Sequence, residues 1–316
     1  MNPLTESVAR RCMRAMTVCE PLSADLTSGE CAAACEVRLA AAEGAPPPTP
    51  LVFASPHSGR LYPDDMMAAA ALDAHAIRRS EDVLVDDLIG RAPELGAPVI
   101  AARYARAYID LNREPFELDP GMFADELPAF ARARTARVAA GLGSIAKVVS
   151  EGQEIYARKL TFAEARARIE RAHRPYHAAL LQLVREAQAA HGFAILIDWH
   201  SMPAAAARAG RDLPSDFVIG DRFGASCAGV LTGRVERELE ALGYRVARNS
   251  PYAGGYTTEY YGRPTRRVHA LQIEINRALY LDEANLEPTG GFQRLKGDLE
   301  RVTASLAAAD WSALRG

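Results

Sequence analysis

From Leu51 onward, short apolar runs rich in β-formers alternate with longer stretches whose apolar residues recur at helical spacing. The runs are LVFA (51–54), PVIAA (98–102), AYIDL (107–111), FAILID (193–198), DFVIG from Asp216, YRVA (244–247) and ALQIEI (270–275). Runs this apolar must be covered on both faces, which predicts an α/β fold with a largely buried sheet between helices. Two helices stand out. Ser80 is placed to N-cap EDVLVDDLIGRA, with Glu81 and Asp82 at the positive end of the dipole and Val83, Val85, Leu88 and Ile89 as apolar faces. A second starts near Pro175, a residue tolerated in a first turn, and runs through YHAALLQLVREAQAAHG to a stop at Gly192. Before Leu51 the segment EGAPPPTP reads as an extended connector. Residues 1–49 are therefore expected to form a partly irregular extension of a single domain spanning 50–316.

Composition narrows the class without changing this outline. Of 316 residues, 49% are hydrophobic and 24% charged, enough apolar material for a sizeable core and no case for global disorder. With 37 Lys and Arg against 40 Asp and Glu, the formal charge of −3 provides no basic field for nucleic acid or anionic lipid. No run approaches the roughly 18 apolar residues a membrane-spanning helix needs, and no apolar block follows MNPLTESVARRCMRAM, so a soluble, cytoplasmic protein is expected. Four of the five cysteines, Cys12, Cys19, Cys31 and Cys35, fall near the start, with Cys227 in the body. Their spacing matches no zinc-finger pattern, and the odd count argues for reduced thiols over disulfides.

Polar residues at four apolar run ends carry the candidate chemistry. In ASPHSG (54–59) a strand runs into His57, and in IDWHSMP (197–203) another delivers Asp198 and His200. Ligands collect at the carboxyl ends of strands in open α/β sheets, so the two histidines are candidates for one crevice. Two imidazoles plus one carboxylate form a familiar catalytic metal set, and SEDVLVDD offers Glu81 and Asp82 as the carboxylate. ARYARAYIDLNREPFELDP (101–119) places Asp110, Asn112 and Arg113 near Arg103 and Arg106. Guanidinium forks pair with carboxylates, which suggests an acidic small-molecule substrate. Within LQIEINRALY, Glu274 sits between Ile273 and Ile275. A carboxylate there is either an ion partner of Arg277 or a base whose pKa its surroundings have shifted.

Taken together, SPHSG, SEDVLVD, DLNR, DWHSMP, GGYTTEYYG and LQIEINR resemble the N-formylglutamate amidohydrolase family over roughly residues 50–300. That family is similar to the zinc carboxypeptidases and to the aspartoacylase and succinylglutamate desuccinylase deacylases. The resemblance implies a three-layer α/β/α sandwich around a mixed, mostly parallel sheet, and one zinc ion per chain bound by His57, His200 and Asp82, with Glu81 as the alternative carboxylate. It implies Glu274 as general base, Arg106 as oxyanion or second-carboxylate group, and Arg113 with Asn112 as substrate-carboxylate anchor. The loop 251–262 is expected to cover the site, with Gly254 and Gly255 permitting close backbone approach and Tyr256 offering a hydroxyl. The chain departs from the HxxE pattern of the carboxypeptidase relatives, because the third residue after His57 is Arg60. The implied reaction is hydrolysis of N-formyl-L-glutamate or a close N-acyl acidic amino acid. A deacylase or carboxypeptidase-like hydrolase for another N-acyl amino acid or small peptide, or a non-catalytic acidic-ligand-binding protein, are the alternatives.

Overall fold

A computed structural model of the chain describes residues 33–149, 152–208 and 213–315. Seven strands form one mixed sheet: β1 (Cys35–Arg38), β2 (Leu51–Ser55), β3 (Val99–Ala102), β4 (Ala194–Met202), β5 (Phe217–Gly220), β6 (Val246–Arg248) and β7 (Val268–Asn276). Their order is β1-β3-β2-β4-β7-β5-β6. The pairs β3/β2, β2/β4, β4/β7 and β5/β6 are parallel, whereas β1/β3 and β7/β5 are antiparallel.

Alternation along the central strands assigns each face its cover. Val52, Ala54, Leu196 and Ala270 pack on one side with Tyr176, Leu180 and Val184 of helix α1 (Arg174–His191). Leu51, Phe53, Ile195, Ile197, Trp199, Leu271 and Ile273 pack on the other. There they meet Leu231 and Val235 of α2 (Gly229–Ala241) and Leu295, Leu299 and Val302 of the C-terminal helix (Gly291–Ala308). The result is the expected α/β/α sandwich. Helix α1 has proline in its first turn and ends at Gly192, whose φ of 81° is the left-handed conformation that glycine adopts without steric cost. It also continues backwards through a π turn, Ile169–His173, into Phe162–Arg168, where Thr161 and Glu164 form a capping box.

Three expectations need correction. No helix starts at Ser80: its hydroxyl donates to the Ile77 carbonyl, and the helical turn, Val85–Leu88, begins only after Leu84 at φ 61°. The Asp82 amide instead donates to the His57 carbonyl at 3.0 Å, so a tertiary contact overrides the local capping signal. AYIDL is not a strand, because Tyr108 and Ile109 both donate to the Ala105 carbonyl and the Asp110 carboxylate accepts from the Asn112 amide, closing turns in place of a ladder. Residues 1–49 are not wholly an appendage either, since Cys35–Arg38 adds the edge strand β1 to the sheet, with Cys35 buried. Cys12, Cys19 and Cys31 lie outside the described residues. Among the described residues no helix is long and apolar enough to cross a membrane.

Candidate metal centre and its cleft

Strands β4 and β7 are in register over nine residues, so Asp198 lies opposite Gln272 and His200 opposite Glu274. The period of two that sends Trp199 and Ile273 into one apolar layer sends these four polar residues to the other face, beyond Leu196 and Ala270. The apolar run FAILID ends at Asp198, but pairing with β7 extends the strand through Met202, so His200 stands on it and not after it. His57 follows two residues beyond β2, in a tight turn where a side chain on Gly59 would meet the Tyr104 carbonyl oxygen at 2.0 Å.

His57, Asp82 and His200 converge, all buried. His200 Nδ1 lies 3.1 Å from His57 Nδ1 and 3.0 Å from Asp82 Oδ2, and His57 Nδ1 is 3.3 Å from the same oxygen. A tetrahedral ion with bonds of about 2.0–2.1 Å separates its ligands by about 3.3 Å, so the three atoms fit one face of such a site. The far ring nitrogens meet carboxylates: His57 Nε2 and Asp110 Oδ1 are 2.7 Å apart, His200 Nε2 and Asp198 Oδ2 2.9 Å. Carboxylate–imidazole pairs of this kind fix the tautomer and ring orientation of metal-binding histidines.

The electrostatics favour positive charge between the rings. Burial opposes ionisation of Asp82, yet hydrogen bonds with His200 and His57 hold its carboxyl well below the usual range. Burial likewise works against Asp110, but His57, Arg106 and Arg113 hold it low. His200 is raised well above its ordinary value, burial being outweighed by Asp198, Asp82 and Glu274.

Glu81 has a different environment. It is buried, and its carboxylate accepts from Tyr62 and from Arg78 at 3.0 Å. Arg60, which stands where the HxxE pattern has its acid, pairs near the surface with Asp86 at 2.7 Å and Asp87 at 3.2 Å.

Beside the cluster lies a cleft of about 430 Å³ whose wall includes Asp82, Arg106, Asp110, Arg113, His200 and Glu274. Five of its lining residues are arginines: Arg79, Arg106, Arg113, Arg137 and Arg277. Arg106 donates through Nε to Asp110 Oδ2 at 3.0 Å; burial works against its charge, but Asp110, Asp82 and Glu274 raise its pKa. Arg113 is braced through Nε to the Leu142 carbonyl at 3.0 Å and through Nη1 to the Asn112 carbonyl at 2.8 Å, and burial lowers its pKa. Burial pushes the Glu274 carboxyl up to about 7, the approach of Asp82 adding to this and His200 and Arg106 working against it. Arg277 is directed to Asp82 Oδ1 at 3.2 Å, so Glu274 has a different neighbour: Gln272 Nε2 donates to Glu274 Oε1 at 2.8 Å.

Asn112 lines the cleft, but its amide ties the framework together, Nδ2 donating to Asp198 Oδ2 at 3.2 Å and Oδ1 accepting from the Thr257 amide at 2.8 Å. Both demands fix its orientation in the cleft wall. Gly254 and Gly255 border the cleft, and a side chain on Gly255 would sit 2.4 Å from the Asn112 amide nitrogen. Tyr256 turns away. At the start of α3 (Tyr256–Tyr261) it packs against His173, His177 and Tyr260 and lines a neighbouring cavity of about 960 Å³ with Phe116 and Phe130. The tyrosine in the cleft is Tyr252, whose pKa is raised by burial and by Glu274.

Sequence reasoning assigned no role to Gln272, Ser201 or Tyr252. For Gln272 a signal existed, since 198/200 and 272/274 are polar pairs at strand period inside apolar runs. The pairing of Asp110 with His57 crosses from a loop to a turn and leaves no such trace.

A buried His-Asp-His cluster that opens on an arginine-lined cleft with a raised carboxyl group has the parts that a hydrolase of amides needs. Within that class the chain belongs to the N-formylglutamate amidohydrolase family, whose model matches residues 49–281. It is 32% identical over 237 residues to an N-formylglutamate deformylase of Pseudomonas putida, covering 74% of this chain and 82% of that protein. A second N-formylglutamate deformylase, from Pseudomonas aeruginosa, is 30% identical over 237 residues, covering 74% of this chain and 83% of that protein. A crystal structure of N-formylglutamate amidohydrolase from Ralstonia eutropha JMP134 superposes with a TM-score of 0.80 at 40% identity, covering 87% of this chain and 97% of that one.

The burial of Glu274 has a measurable consequence for stability. With a folded pKa of about 7 against 4.5 unfolded, folding takes up a proton between those values, so stability is full below pH 4.5 and falls as pH rises through 7. A shift of that size corresponds to about 3 kcal/mol. In metal-free protein Glu274→Gln is expected to be more stable than wild type by about that much at pH 8, the gain shrinking below about 1 kcal/mol at pH 5. Urea unfolding of both proteins at the two pH values checks this, and equal stability at pH 8 would remove the buried-carboxylate assignment.

Proposed function

We propose that the protein is a zinc-dependent amidohydrolase that converts N-formyl-L-glutamate, or a close N-acyl acidic amino acid, to the free amino acid and formate or the corresponding acid. The observation that carries this reading is the convergence of His57 Nδ1, His200 Nδ1 and Asp82 Oδ2 beside a cleft bearing Glu274 and five arginines. The names of the relatives support the substrate.

These three atoms would hold one divalent ion per chain, which when bound supplies Lewis-acid stabilisation of negative charge and eases loss of a proton from water. The remaining steps belong to side chains. Glu274, a buried carboxylate that lines the cleft beside His200, is placed to accept a proton from the attacking water and to deliver it to the amide nitrogen as the C–N bond breaks. Gln272 keeps that carboxylate in place, its own oxygen accepting from the Gly255 amide at 2.8 Å. Arg106, which lines the cleft, is the group to oppose negative charge developing on the amide oxygen. Arg113, braced by two backbone carbonyls, offers a preorganised fork for a substrate carboxylate.

The purified protein is expected to carry close to one divalent ion per chain and to lose turnover to a strong chelator. His57→Ala, His200→Ala and Asp82→Ala should each lose the ion, while Glu81→Ala keeps it; elemental analysis decides, and full occupancy in either histidine variant would sink the site. Glu274→Gln preserves size and hydrogen bonding but cannot accept the proton, so kcat should drop by about 10² or more with metal still bound. Near-normal kcat would demote Glu274 to a structural role.

The substrate class is tested through Arg113. Its contact to a carboxylate exists before and during reaction, so Arg113→Ala should act mainly on KM, costing about 2–5 kcal/mol in kcat/KM. N-formylglutamate with its α-carboxylate amidated should be a poor substrate for wild type, and Arg113→Ala should treat it and the free acid nearly alike. If wild type turns over both equally fast, Arg113 anchors no carboxylate.

A further inference from the structure

One buried charge in the cleft takes no part in the chemistry just described. Arg277 lies immediately after β7, in a 3-10 turn capped by the Asn276 side chain, and only 5% of its surface is exposed. Its guanidinium makes four hydrogen bonds: Nε donates to Ser201 Oγ at 3.0 Å, Nη1 to the Arg79 carbonyl at 3.3 Å, and Nη2 to the Glu81 carbonyl at 2.6 Å and Asp82 Oδ1 at 3.2 Å. Ser201 Oγ donates to the same Asp82 oxygen at 3.3 Å.

The two oxygens of Asp82 therefore have opposite surroundings. Oδ1 faces a guanidinium and a hydroxyl, while Oδ2 faces the two imidazole nitrogens at 3.0 and 3.3 Å. A carboxylate beside a cation can offer one oxygen or both, and small rotations about its last torsion interconvert the modes. We infer that Arg277 is a positioning residue that restricts Asp82 to one-oxygen presentation toward the cation seat, keeping the seat at three protein donors. The inference rests on the metal-binding reading above. A three-donor seat leaves a coordination position for the reacting groups, whereas a chelating carboxylate would occupy it. Arginine suits the task because its planar fork reaches Oδ1, Ser201 and the Glu81 carbonyl at once, a geometry an ammonium cannot reproduce in full. The same contacts anchor the turn that delivers Asp82.

Binding tightness is not the discriminating readout, because removing a positive charge near a cation seat offsets the loss of a positioning contact. The coordination number is. The full-length chain loaded with one equivalent of cobalt(II) reports it in the visible spectrum, intense bands marking four-coordination and weak bands a higher number. Wild type and Arg277→Lys, which keeps a donor for Oδ1, are expected to share the intense bands. Arg277→Met should show markedly weaker bands and a kcat about 10–100-fold lower. Ser201→Ala, which leaves Arg277 in place, should shift the bands in the same direction by less, and it decides the matter if Arg277→Met does not fold. Wild-type spectra in Ser201→Ala and in folded Arg277→Met would overturn the inference while leaving the metal reading standing. A wild-type chain that takes up no cobalt would instead remove the metal reading, and the inference with it.

Discussion

Two buried imidazoles could not stay together in this core without the carboxylates that surround them. Asp82 lies between the rings, Asp110 behind one and Asp198 behind the other, all almost without solvent contact. Charges so placed lose their hydration, and only close pairing and hydrogen bonding offset the loss. Each acid is in turn held by something else: Asp110 by Arg106 and the Asn112 amide, Asp198 by the Asn112 side chain, Asp82 by Arg277 and Ser201. The constraint propagates outward until it reaches backbone.

That propagation explains why the DLNR segment is a loop although AYIDL before it has the composition of a strand. A strand there would alternate its residues between two faces. The site instead needs Asp110 toward His57, Asn112 toward Asp198, and Arg113 in the cleft. The loop is fixed from behind by α1 and the π turn before it. His177 Nε2 donates to the Leu111 carbonyl at 2.8 Å and His173 Nε2 to the Arg113 carbonyl at 2.9 Å. Burial pushes the His173 imidazolium down to about 4 and holds His177 well below its ordinary value, so both rings are neutral near pH 7 and hold carbonyls without adding charge. These are the bland structural histidines that a lone His in an apolar pattern usually turns out to be.

The sheet and its covering helices were legible because burial on both faces writes itself as contiguous apolar runs, and because Pro175 and Gly192 mark the ends of α1 in local chemistry. The histidines at the ends of two such runs were legible for the same reason. What the sequence did not expose depended on distant partners. Ser80 carries every mark of an N-cap, yet the helix waits until Val85 because Asp82 must reach His57. Tyr256 follows two glycines that border the cleft, yet the start of a helix turns its ring toward His177 and leaves Tyr252 beside Glu274. Cys35–Arg38 joins the sheet through pairing with β3, a contact no local pattern announces.

The glycine pair shows how closely these parts are tied. Gly255 donates its amide to Gln272, and Gln272 passes its own donor to Glu274. Two residues later Thr257 donates to Asn112, which reaches Asp198 behind His200. A single turn of backbone at the start of α3 thus meets Glu274 through one amide side chain and Asp198 through another. Any residue larger than glycine at 255 would drive its Cβ into the Asn112 amide, which has no room to retreat because both its polar atoms are engaged. The freedom of glycine serves close approach here, and the wall of the cleft is joined to β7 through the Gly255–Gln272 hydrogen bond.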